Sequence, residues 1–275
     1  MMNLSRRDFV KTAAIFSGLA LTGCGGSKGG SDAPAPAADF TLIKEGTLIV
    51  ASDLDFEPLG FLKNGKPAGF DVDLSNEIAK RLGLTCEYLE PQVFDDIIPL
   101  IKKGGTADIG VSAFSITDDR KKEIDFTDSY LDSGLAIAVK KTLGIVGTEE
   151  TIVNELNAPD MVIAVRQGTT GEAWVREHIP NATVEKVESV TDCMAGVSSG
   201  AYQAFCADLP VVAGQCASAF TDCTVCLEIP TGEQYGIVVS KDNPGLTAAL
   251  NQALADMMDD GTYDALYSDW FGGQA

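Results

Sequence analysis

Residues 112–130 read SAFSITDDRKKEIDFTDSY, directly after the apolar run Ala107-Asp108-Ile109-Gly110-Val111. The run predicts a short buried strand. A helix start comes next: Thr117 suits an N-cap, and Asp118 and Asp119 suit the positive end of the helix dipole. Arg120 does not suit it. A cation in the first turn is disfavoured by that dipole, so another demand places it there, and an anion is one such demand. Free N–H groups at a helix N-terminus, serine and threonine hydroxyls and a guanidinium fork together make a carboxylate site. The competing reading is a surface arginine paired with Asp118 or Asp119, and this segment alone does not choose between them.

Outward from this stretch, strands and helices alternate. Leu48–Ala51, Cys86–Leu89, Leu135–Val139, Val162–Val165, Thr183–Val187, Ala204–Ala207 and Ile237–Val239 read as strands. Gly69–Leu84 reads as a helix with Asp71 or Asp73 at its start, Lys80 and Arg81 in its last turn and Gly83 at its end. Phe94–Ile101 reads as a second helix in which Pro99 is tolerated or makes a kink. Further helical stretches fall near 171–178, 190–199, 210–219 and 245–258. This is an α/β chain with largely parallel sheets, in which ligands sit beyond the carboxyl ends of strands. Four places meet that description: Ser52–Glu57, Ser112–Arg120, Gln167–Glu172 and Asp208.

The 275 residues are 45% hydrophobic, which suits a folded protein of one or two domains. The net charge of −20 argues against nucleic acid and against unassisted binding to anionic lipid. The N-terminus is a targeting segment (residues 1–23): Arg6-Arg7 in a twin-arginine pattern, then an apolar run from Ala13 to Leu21. That run is short of the roughly 20 residues of a spanning helix. It ends in Leu21-Thr22-Gly23-Cys24, which resembles the lipobox of bacterial lipoproteins. The resemblance implies cleavage before Cys24, a lipid on its sulfur, and an extracytoplasmic domain held at the cell membrane. Residues 24–39 then form a flexible tether.

Six more cysteines remain: Cys86, Cys193, Cys206, Cys216, Cys223 and Cys226. An exported protein permits disulfides. Cys223-Thr224-Val225-Cys226 lacks the helix start that lowers a redox thiol's pKa, and no second such pair exists for zinc. Structural bridges or buried thiols are expected, and no metal or cofactor.

Four segments carry a family resemblance: Gly69-Phe70-Asp71-Val72-Asp73-Leu74; Ser115–Lys122 with Asp125-Phe126-Thr127; Gln167-Gly168-Thr169-Thr170-Gly171; and Asp260-Gly261-Thr262-Tyr263 with Trp270-Phe271-Gly272. In this order they resemble solute-binding protein family 3, the polar amino-acid-binding proteins of ATP-binding-cassette (ABC) importers, over about residues 40–272. The resemblance implies a periplasmic-binding-protein type II-like fold of two lobes, each a sheet flanked by helices. The chain would cross between them near Leu131–Gly134 and Gly232–Gly236. Lobe 1 would hold 40–132 and 235–275, and lobe 2 would hold 133–234. Some relatives carry a short-loop disulfide ending at the position of Cys86. Its partner position here is Ala79, so that bridge is absent, leaving at most two bridges within lobe 2.

The resemblance also assigns the site. Arg120 matches the arginine that takes the ligand carboxylate, Ser115 a hydroxyl contact, and Ala113 a backbone carbonyl for the ammonium. Thr170 matches the lobe-2 contact to the carboxylate; on local grounds it is equally a helix N-cap. Asp208 matches the ammonium-binding aspartate; on local grounds an Asp before Leu209-Pro210 begins a helix. Phe56 and Phe94 match aromatics flanking the ligand side chain, and Asp53 an acid reaching side-chain N–H groups. Arg166 and Gln167 are further pocket candidates. His178, Trp174 and Trp270 read as surface or packing residues.

The function expected is that of an extracytoplasmic receptor, monomeric, handing one amino acid to a membrane permease and doing no chemistry. Glutamine, histidine, arginine and lysine are favoured by Asp53, acidic ligands least, and cystine stays among the candidates. Two other classes compete. A secreted dehydratase on this fold would need Asp53 or Glu57 as general acid. A ligand-sensing domain would need a transmembrane helix and a cytoplasmic module beyond Ala275.

Overall fold

Every residue of Thr47–Ala51 (β1) is buried, which a strand achieves only when both faces of its sheet are covered. The computed structural model describes residues 39–272. The targeting segment, Cys24 and nearly all of the tether read from the sequence lie outside those residues. Alternation along β1 sorts its side chains. Leu48 and Val50 pack with Leu74 and Ile78 of α1 (Phe70–Arg81) and with Leu246, Leu250 and Met257 of α8 (Pro244–Asp259). Ile49 and Ala51 face Phe94, Ile97 and Ile101 of α2 (Phe94–Lys103). Pro99 sits exposed inside α2 without ending it.

The first sheet has the order β5-β1-β6-β13-β7, with β5 Thr85–Tyr88, β6 Ile109–Gly110, β7 Asp125–Phe126 and β13 Val238–Val239. The second has the order β10-β9-β11-β8-β12, with β8 Leu131–Lys140, β9 Val162–Val165, β10 Thr183–Lys186, β11 Ala204–Asp208 and β12 Cys223–Tyr235. Its faces are covered by α4 (Glu149–Leu156) and α5 (Thr170–His178) on one side and by α6 (Val190–Ser199) and α7 (Leu209–Ser218) on the other. A small hairpin sheet (β2 Asp55–Phe56, β3 Gly60–Lys63, β4 Lys66–Ala68) follows β1, and α9 (Thr262–Phe271) ends the described chain.

The sheets are less parallel than the alternation predicts. β13 runs antiparallel to β6 and β7, and β8 antiparallel to β11 and β12. These are the strands on which the chain leaves one sheet and returns. In the pairing of β8 with β12, Leu131 faces Tyr235, Asp132 faces Gln234 and Ser133 faces Glu233, so both passages run side by side. Gly134 lets them approach: a Cβ there would lie 2.6 Å from the Ile229 carbonyl oxygen. The Cys223–Tyr235 strand is not legible as one in the sequence, because Pro230, Gly232 and exposed polar residues interrupt its apolar positions. All six cysteines of the described residues are free thiols, with Cys193, Cys206 and Cys223 buried in the packed interior.

Candidate functional site

The loop after β6 is shaped by an aspartate from α1. Asp71 Oδ2 accepts from the Ala113 N–H at 2.9 Å, and Oδ1 accepts from the Tyr130 hydroxyl at 2.9 Å. That grip holds Ala113 at φ 49°, a conformation costly for a residue with a side chain, and turns the loop toward the second sheet. Burial pushes the Asp71 carboxyl up to about 6, while its two hydrogen bonds pull the other way. Gly69 makes the approach of α1 possible, because a Cβ there would stand 2.1 Å from the Leu59 carbonyl oxygen. The Gly69–Leu74 signature thus sets the geometry of the site from the far side of the loop.

Thr117 caps α3 (Asp118–Glu123) by accepting from the Arg120 N–H. Arg120 does not pair with its acidic neighbours; Asp119 takes Lys122 at 2.6 Å. The half-buried guanidinium instead donates to the carbonyls of Ser115 (2.9 Å) and Gly168 (3.0 Å) and lies over the rings of Phe94 and Phe114. Burial lowers its pKa, against the opposing influence of Asp208, Glu233 and Asp95.

At the start of α5, Thr169 is the N-cap, accepting from the Glu172 N–H. This corrects the capping alternative for Thr170, which is the first helical residue; its hydroxyl donates to Glu233 Oε2 at 3.0 Å. Ser115 donates to the same oxygen at 2.6 Å. Asp208 ends β11 and precedes α7 without capping it by a side-chain hydrogen bond. It accepts from the Tyr235 hydroxyl instead. Burial, and next the Glu233 carboxylate, push the Asp208 carboxyl up to about 7; the Tyr235 bond and Arg120 work against them.

At the opposite end, Asp53 Oδ2 accepts from Arg166 Nη1 at 2.7 Å with both side chains buried, and Asp53 Oδ1 accepts from the Asp55 N–H. Arg166 Nε donates to the Glu188 carbonyl, and its guanidinium covers Phe56 and Phe94. Phe94 also stacks on Phe114, with ring centroids 4.7 Å apart, and has Arg120 at 5.4 Å and Arg166 at 5.8 Å from its centroid.

Eight sequence-read candidates line one cavity: Asp53, Phe56, Phe94, Ala113, Ser115, Arg120, Thr170 and Asp208. Arg166, Ser112 and Thr169 complete the lining. Gln167 does not belong to it. It is exposed and bonds Asp95 at 2.9 Å at the rim of the cleft. His178 stacks on Trp174, and Trp270 bonds Asp73, both away from the cavity. Among the described residues no group of three or more His, Cys, Asp or Glu side chains is placed to hold a metal ion.

The family model for bacterial extracellular solute-binding proteins, family 3, matches residues 48–273. The chain belongs to that family. A probable histidine-binding protein of Neisseria gonorrhoeae is 31% identical over 280 residues, 99% of each chain. The glutamine-binding protein of a Bacillus subtilis ABC transporter is 31% identical over 94% of each. Among solved structures, an ancestral amino acid-binding protein described as a precursor of cyclohexadienyl dehydratase superposes with TM-score 0.75 at 38% identity, over 82% of this chain and 96% of that one. An ancestral arginine-binding protein bound to glutamine gives 0.76 at 35%, over 83% and 99%. The two-lobed α/β architecture of this family 3 protein is that of the type II periplasmic amino-acid-binding proteins.

Sequence reasoning misses two features of the cavity. It ranks Arg166 as a secondary candidate, and the pairing with Asp53 joins residues 113 apart. It passes over Glu233 inside an expected crossing. The only local signal is its place two residues before Tyr235, on the strand that carries the chain back to the first sheet.

Proposed function

We propose that this chain is an extracytoplasmic receptor, lipid-anchored through Cys24, that captures one polar amino acid and delivers it to the permease of an ABC importer. Residues 40–132 with 235–275 and residues 133–234 are its two lobes, closing on the ligand as a monomer. One observation carries the reading. Arg120, from the first sheet's side, and Asp208, from the second, line the same cavity, and neither is in an ion pair among the described residues. A cation bonded to carbonyls and an acid bonded to a phenol are completed by a molecule presenting one carboxylate and one ammonium. Histidine, glutamine and arginine named among the relatives fit that description.

The distal end refines the ligand. Asp53 does not wait alone for a donor, because Arg166 already holds one of its oxygens. The pair offers an acceptor and donors together, which suits a carboxamide or an imidazole. A guanidinium or ammonium side chain would meet Arg166 as a like charge. Glutamine and histidine are therefore favoured over arginine and lysine, and glutamate and leucine are disfavoured. A thermal-shift screen of the twenty amino acids tests this, since a ligand of the folded state raises its stability. Glutamine or histidine should give the largest shift. A largest shift from lysine or arginine overturns the distal refinement, and no shift from any amino acid overturns the function.

An enzymatic reading has one observation on its side: an acid held at about 7 in a carboxylate-binding cavity. Of the two acids that a dehydratase could draw on, Glu57 is exposed and Asp53 is engaged by Arg166. Incubation with a cyclohexadienyl carboxylate and detection of an aromatic product distinguishes the two readings; the binding function predicts none.

A further inference from the structure

The Glu233 carboxylate lies where the two halves of the cleft meet. Its strand is fixed to the loop that carries the site: Ile116 donates to the Gln234 carbonyl at 2.8 Å, and Gly236 to the Phe114 carbonyl at 3.0 Å. One oxygen, Oε2, receives the hydroxyl of Ser115 from the first side and the hydroxyl of Thr170 from the second. A carboxylate only accepts, so each hydroxyl commits its single proton to Glu233 and keeps only lone pairs for anything else. Both residues line the cavity, and the lone pairs that remain can receive donors but cannot give a proton to a carboxylate. Asp208 joins this end through Tyr235, two residues along the strand from Glu233, whose hydroxyl it accepts, while Arg120 reaches it through the Ser115 carbonyl.

We propose that Glu233 is a positioning residue that sets the polarity of the head-group site. By turning Ser115 and Thr170 into acceptors, it makes their end of the cavity, with Asp208, the ammonium side, and leaves the ligand carboxylate to Arg120. Thr170 then contributes its hydroxyl to the ammonium, not to the carboxylate that its family resemblance suggests. This rests on the amino-acid reading above.

The test is titration calorimetry with L-glutamine and with its deaminated counterpart, glutaramic acid, on wild type, Glu233→Ala, Glu233→Gln and Ser115→Ala/Thr170→Val, each first shown to melt cooperatively. Glu233→Ala should weaken L-glutamine by about tenfold or more, the scale of one charge-assisted contact, and leave glutaramic acid unchanged or tighter. Glu233→Gln should recover most of the loss, because an amide oxygen can still accept the hydroxyls. Adding Glu233→Ala to the double variant should change L-glutamine affinity much less than in wild type, because the hydroxyls through which it acts are gone. An unchanged ratio of the two ligands in Glu233→Ala, whether both weaken or both tighten, overturns the proposal while the amino-acid reading stands. Wild type that binds neither L-glutamine nor any other amino acid in the thermal screen overturns that reading and this proposal together.

Discussion

At the distal end of the cavity Arg166 and Asp53 meet at 2.7 Å. At the head-group end Arg120 gives its donors to two carbonyls, and Asp208 takes a phenol. The distal pair is complete without a ligand. On the reading proposed above, a ligand side chain must match this pattern of donor and acceptor, and discrimination between ligands follows from it. Arg120 and Asp208 feel each other's charge but form no ion pair among the described residues, and on the same reading a zwitterionic ligand pairs with both. On that proposal, pairing within one cleft separates which amino acid binds from whether one binds.

Removing a head-group charge should therefore cost most. Arg120→Met is expected to lose about 2–5 kcal/mol of binding, the range for truncating one member of a desolvated charge pair. Calorimetry on the folded variant checks this, and near-normal affinity would return Arg120 to a role in packing against Phe94 and Phe114. Asp208→Asn should cost amino acids about 2–3 kcal/mol. It should cost their deaminated analogues far less. Equal losses for both kinds of ligand would make Asp208 a structural partner of Tyr235 only.

The distal end should respond differently. Asp53→Ala leaves Arg166 buried beside Phe56 and Phe94 without its carboxylate, at a cost of about 3–5 kcal/mol in folding stability. The ranking of amino acids should flatten while Arg120-dependent binding survives. If the ranking stays sharp, discrimination does not come from this pair, and the contrast between the two ends fails.

A smaller effect sharpens the contrast through pH. Asp208 titrates near 7 in the folded protein. The folded form therefore binds its proton more tightly than the unfolded chain, where an aspartate titrates at about 3.9. Its contribution to the stability of the ligand-free protein is present below about pH 4 and is lost as pH rises through about 7. An ammonium favours the ionised carboxylate, so binding expels the proton and affinity should rise roughly 25-fold between about pH 5.5 and 7.5. Asp208→Asn should remove most of that slope, with Asp71, raised to about 6, left to contribute the rest. A slope unchanged in the variant would place the titrating group elsewhere.

The scaffold is legible in the sequence where burial is continuous. β1, β9 and β11 are apolar runs, and β9 begins and ends where the pattern predicts. Legibility fails at β12, whose long antiparallel pairing with β8 compensates for a composition that does not look like a strand. Most of the cavity lining is legible from motifs, but Ser112 and Thr169 are not singled out by them, and Gln167 belongs to the rim. What holds the cavity together is not. The Asp53–Arg166 pair spans 113 positions and the Ser115–Glu233 bond 118, and no local pattern encodes a contact at such separation. Thr169 and Thr170 are a similar case in miniature: two adjacent threonines could each cap α5, and only the geometry shows that the first does and the second is turned toward Glu233.

The central claim is that the head-group end recognises a carboxylate and an ammonium at once. Deleting each group from the ligand, not from the protein, tests it most directly. L-glutamine, glutaramic acid without the α-amino group, and 4-aminobutanamide without the α-carboxylate should be titrated into wild-type protein by calorimetry. Each deletion should weaken binding by about a hundredfold or more, corresponding to at least ~2.7 kcal/mol. Binding of either analogue within about threefold of L-glutamine would contradict the account, because one of the two unpaired charges would then have no part in recognition.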